Sequence, residues 1–227
     1  MAKDNTGKML AERPAAIVYV DGLNLDKRLL EKYPEYRWLN IVKLCEILLP
    51  THEIRLVRYF TSRIKPPLDN QEIAINQGIY LEALNSLGNR ISISYGKMIR
   101  RDRVFPVAPA SLRPDGKPTL ARVATVEEKG SDVALASFMV LDAARGDAEM
   151  FVLLSNDSDF RPTLRILREE LGVKVGLFSP VSQPSSSLLV SEKMMIKIIR
   201  SSSLQASQLP NQINSNKGSI RKPDAWT

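Results

Sequence analysis

Residues 150–154, Met-Phe-Val-Leu-Leu, form a run of apolar residues of the length of a short strand covered on both faces. Residues 15–20, Ala-Ala-Ile-Val-Tyr-Val, form a second, β-branched run of the same kind. Each is followed at once by acidic and polar residues, and then by leucines at helical spacing. A buried strand that feeds a helix through a polar turn is the unit of an open α/β sheet. Such sheets bind ligands outside the carboxyl ends of their strands.

The rest of the chain follows the same alternation. Helices are expected over residues 25–30, 38–49, 70–87, 133–144 and 163–171, with Asp69 or Asn70 capping the third and Ile73, Ile75, Ile79, Leu81 and Leu84 as its apolar side. Further strands are expected over 53–64, 90–98 and 173–178, a short helix over 185–190, and a strand or helix over 195–199. Residues 99–125 interrupt the pattern with Arg100, Arg101, Arg103, Arg113, Lys117, Arg122 and four prolines. They read as a basic excursion with a β-hairpin, residues 105–112 returning through 119–126. The fold class is therefore α/β: a three-layer α/β/α sandwich on a mostly parallel sheet of order 3-2-1-4-5, with the hairpin added. Residues 1–14 are expected to be a flexible leader and 15–200 one domain. From Ser201 the Ser/Gln/Asn-rich composition predicts a mobile tail, residues 201–227, from which Trp226 docks back on the domain weakly at most.

Composition narrows the chemistry. With one histidine and one cysteine in 227 residues, the chain has no zinc set, no Cys–His pair in a recognisable context and no complete Ser–His–Asp arrangement. His52, after Pro50-Thr51, reads as a loop residue, and Cys45 as a small core hydrophobe. No apolar run approaches the ~20 residues of a spanning helix, so a soluble, cytoplasmic protein is expected, with homo-oligomerisation open. A formal charge of +7 favours an anionic partner.

Carboxylates remain to do the work. In the 3-2-1-4-5 order the first and fourth strands are neighbours, and the winding direction reverses between them. Asp21 and Asp157 then hang over one crevice, with Asp159 one step beyond and Asp132 in the first turn of the helix feeding the fourth strand. Each also has a plain structural reading: Asp159 as a helix cap, Asp132 as a first-turn acid, Asp21 as a turn residue. Four acids in one crevice raise one another's pKa, and a hard divalent cation relieves that repulsion. An oxygen-only ligand set indicates Mg²⁺ or Mn²⁺.

Three motifs carry a family resemblance: Asp21-Gly22-Leu23-Asn24 after an apolar strand, Lys129-Gly130-Ser131-Asp132 opening an alanine-rich helix, and Leu154-Ser155-Asn156-Asp157-Ser158-Asp159-Phe160 followed by Pro162. In this order they resemble the NYN domain of the LabA-like (DUF88) branch of the PIN-like nucleases. The resemblance implies a PIN-like sandwich and metal-dependent endoribonuclease activity on RNA. Asp21, Asp132, Asp157 and Asp159 would be the metal ligands, with Asn24 and Ser155 as polar supports. Asn156 departs from the glycine usual in this branch, and Ser131 from a valine. Glu128, just before the second motif, is a further candidate acid.

Arg100, Arg101 and Arg103 are the candidate contacts to an RNA backbone, on charge alone. Two rivals stand beside this reading. A haloacid-dehalogenase-like phosphohydrolase wants a second aspartate two residues after the first, where this chain has Leu23. A catalytically inactive module would bind RNA or protein without cutting.

Overall fold

The computed structural model describes residues 13–66, 70–215 and 218–226. Nearly all of the expected leader, and Asp69, lie outside these.

Strand β1 (Ala15–Asp21) is buried along its whole length. It runs between β2 (Glu53–Ser62) and β5 (Met150–Leu154), parallel to both. Outward from β2 come β3 (Ile91–Pro106) and, antiparallel to it, β4 (Leu120–Lys129). Outward from β5 come β6 (Lys174–Ser179) and β7 (Met195–Ile198), both parallel. The seven-stranded sheet therefore has the order β4-β3-β2-β1-β5-β6-β7. The expected 3-2-1-4-5 order is its central five strands, extended by the hairpin return at one edge and β7 at the other.

The alternating side chains of β1 supply two cores, as the two-residue period of a strand requires. Ala16, Val18 and Val20 face α1 (Gly22–Leu25, continued by a π-helical turn over Asp26–Leu30), α2 (Ile41–Leu48) and α3 (Glu72–Asn85). Ile17 and Tyr19 face α4 (Ser131–Arg145) and α5 (Arg161–Arg165, continued by a π-helical turn over Ile166–Glu170). The result is the α/β/α sandwich.

Three expectations need correction. Helix α3 has Gln71 at its cap position with no side-chain cap bond, and it buries Tyr80, Leu81, Ala83 and Leu84. Ile73 and Ile75 are exposed, so the buried face lies in the second half of the helix.

The expected β-hairpin is present, but its arms begin earlier, as a continuation of the third strand. β3 runs on beyond Gly96, its last partner to β2 at Ser62, and residues 97–106 pair with 120–129 as a two-stranded arm. Pro106 ends the first arm, paired with Leu120, and Pro109, Pro118 and Pro114-Asp115-Gly116 lie beyond it toward the tip.

Residues 201–227 are not a mobile tail where they are described. Helix α6 (Ser201–Ala206) and a hairpin of β8 (Gln212–Ser215) and β9 (Gly218–Arg221) close over the α2/α3 side. Leu204, Leu209, Ile220 and Trp226 are all buried there. The Trp226 ring packs 6.3 Å from Trp38 and 5.9 Å from Tyr80 between centroids. Backbone groups are matched too: Trp38 Nε1 donates to Pro210 O at 2.8 Å, and Asn40 N to Ser207 O at 2.7 Å. A few apolar residues spaced along a polar segment are enough when each meets an apolar face that already exists.

Candidate active site

The period that buries Ile17 and Tyr19 against α4 carries Asp21 to the same side of the carboxyl edge. On β5, Phe151 and Leu153 do the same for Ser155. Ser155 Oγ donates to Asp21 Oδ2 at 2.9 Å, and Asn24 N donates to Asp21 Oδ1 at 3.0 Å. Asp21 is thereby the cap of α1 as well as a buried acid, 6% exposed.

The loop after β5 is tied to the loop after β1. Asn24 Oδ1 accepts from Asn156 N at 3.0 Å, and Ser155 Oγ accepts from Asp157 N at 3.1 Å. Asn156 Oδ1 then accepts from Ser185 N at 2.8 Å, a bond that glycine at this position would lack. Asp157 Oδ1 accepts from Asp159 N at 3.0 Å, so the cap role belongs to Asp157. Asp159 is exposed and Asp157 half-buried.

Asp132 arrives from the other flank. Gly130, at φ +97°, makes the left-handed turn from β4 into α4 that a side chain would strain. Glu128 Oε1 accepts from Ser131 N at 3.1 Å and lies over Gly96, where a β-carbon would come within 1.8 Å of it. Glu128 is thus a structural support beside Asp132 rather than a free solvated residue.

The carboxylates feel one another. Burial pushes the Asp21 carboxyl up to about 6, against the two hydrogen bonds from Asn24 and Ser155, with Asp132 and Asp157 adding to the rise. Asp132, although solvent-exposed, is also pushed up, first by partial desolvation and then by Glu128, Asp157 and Asp159. Among the described residues, no three acidic, histidine or cysteine side chains stand close enough to ligate one ion. The donor set nevertheless suits Mg²⁺, which keeps several of its waters and is commonly bound by only one or two carboxylates. Ser62 Oγ, at the carboxyl end of β2 on the same side, is fully buried with no hydrogen-bond partner among the described residues.

Asp142, which the sequence marks only as a position on α4, is the anchor of that helix. It is fully buried and accepts from Tyr19 Oη at 2.6 Å and from Arg58 Nε and Nη2 at 2.6 and 2.9 Å. Arg58 also lies 4.7 Å over the Phe138 ring. Strands β1 and β2 thus grip the helix whose first turn carries Asp132. An aspartate in the last turns of a helix gives no such signal in sequence.

The three candidate arginines do not share a face. Residues paired across the arm point to the same side, so Arg100 and Val126 follow Met98 and Glu128 toward the α4 side, where the acids are. Arg101 and Arg103 point to the opposite side, and Arg103 is paired with Glu127 at 2.8 Å. His52 hydrogen-bonds Thr51 at the amino end of β2, away from the acids, and burial holds the Cys45 thiol well above its usual range.

A parallel sheet of this order with acids near the point where its winding reverses is compatible with the PIN-like nuclease superfamily, to which the NYN domain belongs. The chain belongs to the NYN domain family, whose profile matches residues 15–199. It is 30% identical over 235 residues to the 6-hydroxy-3-succinoylpyridine 3-monooxygenase HspA of Pseudomonas putida, spanning 92% of this chain and 74% of that protein. Among solved structures it resembles a Vibrio parahaemolyticus protein of unknown function, VPA0982. The TM-score is 0.52 at 15% identity, covering 86% of this chain and 98% of the other.

Proposed function

We propose that this protein is a metal-dependent endoribonuclease of the LabA-like branch, acting on RNA in the cytoplasm. The observation that carries the reading is Asp21: a buried carboxyl pushed up to about 6 beside Asp132 and Asp157, at the switch point of the sheet. Such a group is costly to ionise alone, and a divalent cation removes the cost.

Asp21, Asp132, Asp157 and Asp159 would be the carboxylates that hold Mg²⁺ or Mn²⁺, one or two of them on an ion at a time, with water completing its shell. A bound ion of this kind supplies an activated water and neutralises charge developing on a phosphodiester. The chain's own groups set the geometry around it. Ser155 and the Asn24 backbone fix the two oxygens of Asp21, and the Asn24 side chain pins the loop that carries Asp157. Arg100, on the acid side of the arm, binds the phosphate backbone as it crosses the crevice.

Purified protein incubated with end-labelled RNA tests the reading. Cleavage is expected with Mn²⁺ or Mg²⁺, none with EDTA, and none with Asp157→Asn, which folds normally because it removes repulsion. Cleavage retained by that variant, or insensitive to EDTA, would overturn it.

A second reading draws on the relative named for hydroxylating a pyridine ring. On it, the chain oxidises a nitrogen heterocycle with O₂ and a reductant. Oxygen uptake on adding a hydroxypyridine and NADH, with no RNA cleavage, would favour it.

A further inference from the structure

On the side of the carboxyl edge opposite the acids, the α1/α3 side, the structure holds a cavity of about 260 Å³. Tyr59, Tyr80 and Trp226 give it aromatic walls, the last two nearly edge-on to each other at 79°. The Asp26–Arg37 ion pair, 3.1 Å apart, forms a charged side. Asn76 also lines it, and its side-chain amide makes no hydrogen bond among the described residues. Leu23, Leu30, Ile64 and Ile73 complete the apolar walls, and several polar side chains, the Glu72 carboxylate among them, are set between them, a lining that suits a small ligand with both flat and polar edges. Trp226 lies outside the segment that matches the family profile, residues 15–199, so this wall is an addition to the shared domain.

The cavity is coupled to the acids through one residue. Gly22 and Leu23 line it, and Asp21 precedes them directly. A β-carbon on Gly22 would come within 2.7 Å of the Tyr59 ring and hydroxyl and 2.9 Å of Phe60 O. Glycine there lets the end of β1 lie against the Tyr59 ring, so the cavity floor and the Asp21 carboxylate sit on either side of a single backbone unit.

We propose that this cavity receives one base of the RNA strand whose backbone lies at the acids, a planar nitrogen heterocycle. The proposal rests on the ribonuclease reading for the source of the ring. Aromatic walls accept the flat faces of any base. The Asn76 amide, with two donors and an acceptor, meets the ring's polar edge. The side of the sheet then divides the labour: base on the α1/α3 side, phosphate on the α4 side, with Gly22 between.

The test uses the full-length protein in EDTA, titrated with AMP, UMP and, separately, 2-hydroxypyridine, following tryptophan emission from the cavity wall. A saturable change is expected with at least one nucleotide. It is abolished in Asn76→Phe, which fills the cavity, and weakened about two- to tenfold in Asn76→Ala, which removes one hydrogen-bonding group. Circular dichroism checks that both variants fold, and Asn76→Ala serves if the larger residue does not. No saturable response to either nucleotide, binding by Asn76→Phe equal to wild type, or a response to 2-hydroxypyridine alone would overturn the proposal. Metal-dependent RNA cleavage with no nucleotide response rejects the cavity and leaves the ribonuclease reading. A nucleotide response with no cleavage rejects the ribonuclease reading.

Discussion

Ser155 Oγ donates to Asp21 Oδ2 across 2.9 Å, joining two residues 134 positions apart at the ends of neighbouring parallel strands. The same hydroxyl accepts from Asp157 N, so one serine orients the acid of the first motif and the backbone of the third. Removing it as Ser155→Ala takes a donor from a carboxylate already held high by burial. Its pKa moves further up from about 6. On the proposed function, the acidic limb of the pH–rate profile shifts to higher pH and cleavage falls roughly tenfold, the usual scale for a group that orients a metal ligand. A pH series on wild type and variant checks it.

The raised pKa of Asp21 also makes a stability prediction. Its folded value of about 6 lies above the unfolded value near 3.8, so the folded state holds the proton more tightly. Below about pH 4 both states are protonated and nothing is lost. As pH rises from about 4 to 6 the metal-free fold loses stability, by about 3 kcal/mol from this group. Asp132, shifted in the same direction, adds to the loss. Thermal unfolding in EDTA should show that decline, Asp21→Asn should flatten it, and Mn²⁺ should raise Tm at pH 8 but little at pH 4.5.

Asp142 ties α4 to β1 and β2 through Tyr19 and Arg58. Asp142→Ala leaves the Arg58 guanidinium half-buried and the Tyr19 hydroxyl unpartnered. Breaking one side of a buried pair costs about 3–5 kcal/mol. Urea unfolding measures the loss.

Trp226 carries the closing segment. Trp226→Ala leaves a hole against Trp38 and Tyr80, at a cost of about 3 kcal/mol. A loss under half a kcal/mol would mean that residues beyond Ser201 contribute little to the fold.

The arginines are separated by the pleat of the arm. Arg100→Ala should weaken RNA binding and lower its salt dependence by about one unit of slope. Arg103→Ala, opposite in direction and already paired with Glu127, should change both less. Filter binding over a range of salt distinguishes the two.

Sequence patterns carried much of this arrangement, and their failures have physical causes. Short apolar runs marked β1 and β5 because strands buried on both faces leave no room for polar residues. Once those strands are neighbours, Asp21 and Asp157 follow from chain connectivity. Segment composition misread residues 201–227, because Leu204, Leu209, Ile220 and Trp226 are few and act singly. The continuity of β3 into the arm was hidden by its arginines, since strand propensity says little about an exposed two-stranded ribbon. Asp142, Ser62 and the cavity beside Gly22 depend on packing between distant segments, which no local pattern records.

Mn²⁺ binding, followed by the loss of the free-ion EPR signal at pH 8, tests most directly that these acids act together. Wild-type protein should bind the ion saturably, with Asp21→Asn and Asp157→Asn each weakening it at least tenfold. Wild-type protein that leaves the free Mn²⁺ signal unchanged, with and without RNA, or an Asp21→Asn variant that binds as tightly as wild type, would contradict the account.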